Sequence, residues 1–366
     1  MRYPGKPAPF FFLLLSLLLP LNLAAVPDLE MSRVPSLFSA IRVSSSLDFC
    51  GEKTPLDESD VKERLERELL VSLGNPHQVV LWIKRAGRYF PHIEEVLKKN
   101  GLPDDLKYIA VAESALLPHI GSPKHAVGFW QFIESTGLSY DLRIDGFIDE
   151  RRNIFTSTRA ATRYLEKLYA DFGSWTLAAA AYNMGENGLK SRIETQKTKN
   201  YYHLYLPLET QRYLFRILSI KLILSDPERY GFYFTDGDRY SPLSFDRVLV
   251  KVNSFLPLQL IAEASSTYLK KIKDLNPEIR GYELPRGSYS ILIPKGAGEK
   301  FLARLAPLVA KYKPKRRART YVVKHGDNLS GIAKKHGVKV SDLKRWNQKL
   351  GKARHIYPGQ RLVVRK

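Results

Sequence analysis

The second half of the chain is written twice. "RVLVKVNSFLPLQLIAEASSTYLKKIKDLNPEIRGYELPRGSYSILIP" and "TYVVKHGDNLSGIAKKHGVKVSDLKRWNQKLGKARHIYPGQRLVV" align at a constant offset of 71 residues. Val252 falls on Val323, Ile261 on Ile332, Ala262 on Ala333, Ile272 on Leu343, Asn276 on Asn347 and Ile293 on Val364. A copy at fixed spacing signals tandem small modules. Each copy reads strand, helix, helix, strand, so residues 246–296 and 320–366 are expected to form two βααβ units. The copies part company at one turn, where "GDNL" (326–329) faces "FLPL" (255–258). The first copy keeps the core periodicity and loses the turn chemistry, which reads as a degenerate, structural module. Between the copies, residues 297–319 end in "KYKPKRRAR" and read as a basic, Pro-containing linker.

With 366 residues there is room for two or three cores, and 44% hydrophobic against 26% charged residues excludes wholesale disorder. The formal charge of +21 is local: from Lys311 onward eighteen Lys and Arg face only Asp327 and Asp342. A basic end calls for an anionic partner, which means nucleic acid, acidic lipid headgroups or an anionic wall polymer. The N-terminus chooses among them. Arg2 and Lys6 precede an apolar run from Phe10 to Leu21 and then Ala24 and Ala25. This is the layout of a secretory signal peptide over residues 1–25 rather than an anchor helix. The protein is therefore expected in the periplasm or cell envelope, with outer-membrane association left open and nucleic acid excluded as partner. The single cysteine, Cys50, forbids an internal disulfide. "LDFC" is a poor lipidation site, so Cys50 reads as incidental.

The first half is helical in pattern. Residues 26–89 form an extension, irregular to about residue 55 and then helical, with a break at Gly74-Asn75-Pro76. Further helices are expected from Pro103 with Asp104 and Asp105 in the first turn, and over 153–171, 174–184 and 208–225. Inside the run "IAVAESALLPHIGSPKHAVGFWQF", Glu113 is the one acidic residue. A carboxyl group kept dry has a raised pKa and suits a general acid; one on the wet face of an amphipathic helix does nothing of the kind. Local sequence leaves both readings open. His119 and His125, six apart, match no metal-ligand spacing, so no metal and no cofactor is expected.

Four ordered motifs bear on the choice: Glu113-Ser114; Ser122 with "GFWQ" at 128–131; "AYN" at 181–183; and "LPLETQRY" with Glu209 and Tyr213. Over roughly residues 90–226 they resemble the lysozyme-like catalytic domain of lytic transglycosylases, in particular the membrane-bound lytic murein transglycosylase D subfamily. That resemblance implies that Glu113 protonates the glycosidic oxygen and then acts as base. It also implies that Ser122, Gln131, Tyr182, Asn183, Glu209 and Tyr213 bind substrate, with the Tyr182 hydroxyl on Glu113 or the sugar. Phe129 and Trp130 replace the usual Leu-Met, and they read as core filling more readily than as a sugar platform.

Residues 320–366 resemble the LysM glycan-binding module. That resemblance implies that Gly326, Asp327, Asn328 and Leu329, with Ile356 and Pro358, line its groove. The expectation is an α+β multidomain chain: a helical lysozyme-like domain followed by βααβ LysM-type modules. The implied reaction is lytic cleavage of peptidoglycan glycan strands, with oligomeric state undetermined. A hydrolytic muramidase on the same fold and a non-catalytic wall-binding scaffold are the alternatives.

Overall fold

A computed structural model describes residues 35–43, 46–312, 319–347 and 356–365. The signal-peptide reading and most of the basic tract "KPKRRAR" lie outside the described residues. The chain divides into two compact units. One holds residues up to Ser122, 128–131 and 158–242; the other holds 123–127, 132–157 and everything from Leu243 onward.

The first unit is helical, as the apolar periodicity predicts. Helices Ser59–Leu73, Pro76–Lys99, Lys107–Ser114, Trp175–Met184, Glu186–Gln196 and Leu208–Ser225 belong to it, with most of Ile154–Phe172. Its centre is helix Leu208–Ser225, whose Tyr213, Leu214, Ile217, Leu218 and Ile220 are buried. Each such apolar side chain contributes about 1.5–3 kcal/mol by leaving water. Helix Trp175–Met184 packs on it through the buried run Ala178–Ala181, where methyl-sized side chains let two backbones come close. Gly185, at φ 90°, ends that helix in a conformation other residues resist. The buried Glu68 of helix Ser59–Leu73 accepts from Arg212 Nε at 2.6 Å, fixing the rotation of the central helix.

The stretch read as irregular up to residue 55 has a job. Asp48–Phe49 and Glu52–Lys53 pair as a small antiparallel hairpin with Phe49 fully buried. The hairpin delivers Glu52 to the start of helix Trp175–Met184. There its carboxylate accepts from the Ser174 hydroxyl (2.8 Å), from Thr176 N (3.1 Å) and from Trp175 N. A carboxylate on the unpaired N–H groups of a helix start satisfies them and complements the dipole.

The second unit holds the two modules, and the structure repeats as the sequence does. Strands Phe245–Val252 and Gly287–Pro294 pair antiparallel, enclosing helices Leu258–Ala264 and Leu269–Leu275. Strands Arg319–Val322 and Arg361–Arg365 pair likewise, around helices Leu329–Lys335 and Val340–Trp346. Both helix pairs are displaced by 71 residues at both ends. Asn276 donates to Ile272 O and Leu292 O and accepts from Leu292 N; Asn347 does the same with Leu343 O, Val363 O and Val363 N. This amide ties the second helix to the last strand in both copies, which is why an asparagine recurs there.

One expectation is corrected here. Residues 301–311, read as part of the linker, form a helix whose Phe301 and Leu305 enter the first module's core. The basic tract drew attention away from the apolar spacing of Phe301, Leu305 and Leu308. Residues 132–157, within the stretch expected as the helical domain, also cluster with the first module, and Ile148 sits in that module's core.

Candidate active site

Glu113 lies in the last turn of helix Lys107–Ser114. The helix stops at once after it: Ala115 and Leu116 take φ of 50° and 59°. Left-handed backbone at non-glycine residues costs roughly 1–3 kcal/mol each and collects at functional sites. The Ser114 hydroxyl lies 2.8 Å from Phe129 O and 3.1 Å from Ala110 O, tying the helix end to the "GFWQ" loop.

The Tyr213 hydroxyl donates to Glu113 Oε1 at 2.5 Å. Burial pushes the Glu113 carboxyl up to about 7. The hydrogen bond from Tyr213 and the positive charge of Arg216 pull it down, and the negative charge of Glu209 pushes it up again. Burial wins because removing a carboxylate from water costs more than one phenol and one partly exposed guanidinium return. Burial also holds the Tyr213 phenol well above its usual range, so it stays a neutral donor. The group is thus half protonated near neutrality, where a single carboxyl can both give and take a proton.

The Tyr182 hydroxyl is expected on Glu113 or the sugar. Its proton goes to Trp130 O at 2.7 Å, and Tyr213 takes the place at the acid. Two tyrosines on two helices could each have reached Glu113, and sequence cannot rank them. Asn183, next along, accepts from the Thr210 hydroxyl at 2.8 Å, which leaves its amide N–H groups as the side chain's donors. Gln131 has φ 48°, and its Nε2 donates to Gly128 O (2.8 Å) and Ile120 O (3.2 Å). Its amide nitrogen therefore braces the loop, and its carbonyl oxygen is the end suited to a ligand. Ser122 sits half-buried two residues beyond Ile120. Glu209 is exposed in the first turn of helix Leu208–Ser225, acting on Glu113 through its charge.

Phe129 and Trp130 are 1% and 0% exposed. Trp130 Nε1 donates to the Thr158 hydroxyl at 3.0 Å, and Phe129 meets Tyr89 edge-on at 4.9 Å. They fill the core and offer no ring to a sugar. Sequence reading passed over Arg216, although it stands three residues after Tyr213 and so on the same helix face. It also passed over Thr210 and Glu52, which act on the site's helices from a distance in sequence. Among the described residues no group of three or more His, Cys, Asp or Glu could hold a metal ion.

Residues 91–205 match the transglycosylase SLT domain family, and residues 321–365 match the LysM domain family. Membrane-bound lytic murein transglycosylase D, from two strains of Escherichia coli, is 32% identical over 335 residues, spanning 86% of this chain and 72% of the relative. The chain belongs to the lytic transglycosylase family. The solved 70 kDa soluble lytic transglycosylase of Escherichia coli overlaps 50% of this chain and 34% of its own, at 20% identity and a TM-score of 0.34. What places this lytic transglycosylase in its family is thus the long sequence match, with the helical domain and the LysM module in order.

In the LysM module, Gly326 takes φ 85° and Asp327 accepts from Tyr321 (2.8 Å) and Lys324 N (2.7 Å). Asn328 caps helix Leu329–Lys335 through Gly331 N at 2.7 Å. These are turn-building contacts, and they explain why "GDN" stands there. Leu329 and Ile356 pack partly on the module's core while Pro358 is exposed. Gly359 N donates to Val323 O at 2.8 Å, so the two candidate stretches emerge at one end of the module.

Proposed function

We propose that this lytic transglycosylase cuts peptidoglycan glycan strands at the β-1,4 bond between N-acetylmuramic acid and N-acetylglucosamine, leaving 1,6-anhydromuramoyl ends. The observation that carries the reading is Glu113: a lone carboxyl raised to about 7 by burial, held by the Tyr213 hydroxyl. Glu113 gives its proton to the glycosidic oxygen as the C1–O bond breaks. The 6-hydroxyl of the same sugar then attacks C1 and passes its proton back to the Glu113 carboxylate, restoring the acid. No water is consumed, and an intramolecular nucleophile brings a high effective molarity. Hydrolysis by paired carboxylates needs a second acid facing the first across the bond. Glu209, the carboxylate that acts on Glu113, is exposed and serves here to keep the proton on.

Ser122, Gln131, Tyr182 and Asn183 line the substrate path in this reading, with the Gln131 carbonyl and Asn183 amide as polar contacts. The LysM turn 326–329 with Ile356 and Pro358 grips the glycan, and the basic residues around it steer the protein to an anionic wall. The reading places the chain in the periplasm or envelope; no described helix is long and apolar enough to cross a membrane. Digestion of purified sacculi followed by mass analysis tests the reaction. Anhydro ends, one water lighter than reducing ends, are expected; reducing ends would mean hydrolysis.

A further inference from the structure

In the first module, the stretch corresponding to the LysM turn is closed. Leu256 and Pro257 pair with Leu284 and Glu283, and Leu258 N donates to Tyr282 O at 2.8 Å. Phe255 carries the ring of Phe147 at 6.1 Å, and Phe147 packs against the module's core. The chain from 145 to 149 then runs along residues 278–280 as an added edge. Asp149 N donates to Glu278 O (2.8 Å), Arg280 N to Phe147 O (2.8 Å) and Arg280 Nη1 to Asp145 O (3.1 Å), with Ile148 bridged to Ile279. Where a wall-binding module presents an open turn, this one holds a piece of the sequence that lies between the "GFWQ" and "AYN" motifs.

What it holds continues inward. The Asp149 carboxylate takes Arg151 in a two-point contact, Nε at 2.8 Å and Nη2 at 3.0 Å, with both side chains buried. The free edge of that guanidinium, Nη1, donates to His125 O and to Phe132 O, each at 3.1 Å. His125 and Phe132 flank the loop that ends in Gln131. Its backbone is left-handed at His125 (φ 59°) and Gln131 (φ 48°), conformations that need outside support. The planar, five-donor guanidinium suits a part that must grip a carboxylate on one edge and two carbonyls on the other.

We propose that the first βααβ module is a clamp rather than a second glycan binder, and that Arg151 is a positioning residue through which it fixes the Gln131 loop. This rests on the lytic activity proposed above. A wild-type protein that fails to turn over sacculi fails that reading, whereas an active enzyme indifferent to Arg151 fails only the clamp.

The test is steady-state turnover of sacculi by the full chain carrying Arg151→Met or Arg151→Lys, scored per folded molecule by near-ultraviolet circular dichroism. Misplacing a site group by about 1 Å costs on the order of a hundredfold. Arg151→Met should therefore lose turnover of that order, with KM and co-sedimentation with sacculi close to wild type. Arg151→Lys, keeping charge but not the fork, should recover part of it. Wild-type turnover in folded Arg151→Met overturns the proposal, as does a loss that only follows the folded fraction. If Arg151→Met does not fold, Arg151→Lys decides: a several-fold drop in turnover supports the clamp and wild-type turnover overturns it.

Discussion

Two glutamates in this protein titrate alike and do different things. Glu113, at the end of helix Lys107–Ser114, and Glu278, after helix Leu269–Leu275, are each pushed up to about 7, with burial the leading cause in both. Around Glu113 stand a phenol donor at 2.5 Å, a guanidinium and a second carboxylate, on the neighbouring helix Leu208–Ser225. Around Glu278, Asn153 supplies a hydrogen bond, Arg247 attracts and Glu150 repels, while its Oε2 is buried with no hydrogen-bond partner. The contrast teaches that a raised pKa marks desolvation and not chemistry. Chemistry needs the carboxyl to meet donors that can follow its change of charge.

The largest effect that could break this contrast is on turnover. Glu113→Gln should lower sacculus lysis by roughly a hundredfold to ten-thousandfold, the range of general acid–base contributions. Co-sedimentation with sacculi should stay near wild type, since the LysM residues are untouched; retained lysis would remove Glu113 from its role.

Stability should then show what the two acids share. A carboxyl whose folded pKa is raised binds its proton more tightly in the native state than in the unfolded one. Its stabilising effect is complete below about pH 4.5 and is lost as pH rises through about 7. Each shift amounts to about 3 kcal/mol by linkage. Melting temperature should fall between pH 5 and 8 in the wild type. Glu278→Gln and Glu113→Gln should each flatten part of that fall, and both should melt higher than wild type at pH 8. An unchanged slope in either variant would show that its carboxyl does not titrate as argued.

Smaller shifts sharpen the Glu113 side alone. Tyr213→Phe removes a hydrogen bond that favours the carboxylate, so the alkaline limb of kcat/KM should move to higher pH. Glu209→Gln removes a negative neighbour and should move the limb to lower pH, by less, because Glu209 is exposed and screened. Limbs moving together in one direction would contradict the assignment of these neighbours.

Much of this was legible in the sequence, for physical reasons that also set the limit. The helices over 154–172, 175–184 and 208–225 stand within a residue or so of their expected bounds, because their apolar faces are long and their caps are local. The repeat at 71 residues could be read directly, and Asn276 and Asn347 show what the matching asparagines do. Glu113 could be singled out as a lone acid in an apolar run. What escaped depends on partners distant in the chain. Glu52 caps a helix more than a hundred residues away, and Tyr213 rather than Tyr182 meets Glu113. Arg151, in "DERRN", looks like any charged surface residue until Asp149, His125 O and Phe132 O surround it. The burial of Glu278 has no local signature at all.

The central claim is that one carboxyl suffices because the nucleophile belongs to the substrate. Digestion of sacculi by the wild-type enzyme in heavy-oxygen water, with mass analysis of the released muropeptides, tests it most directly. The account predicts anhydromuramoyl products carrying no heavy oxygen. Reducing-end products labelled at C1 would contradict it.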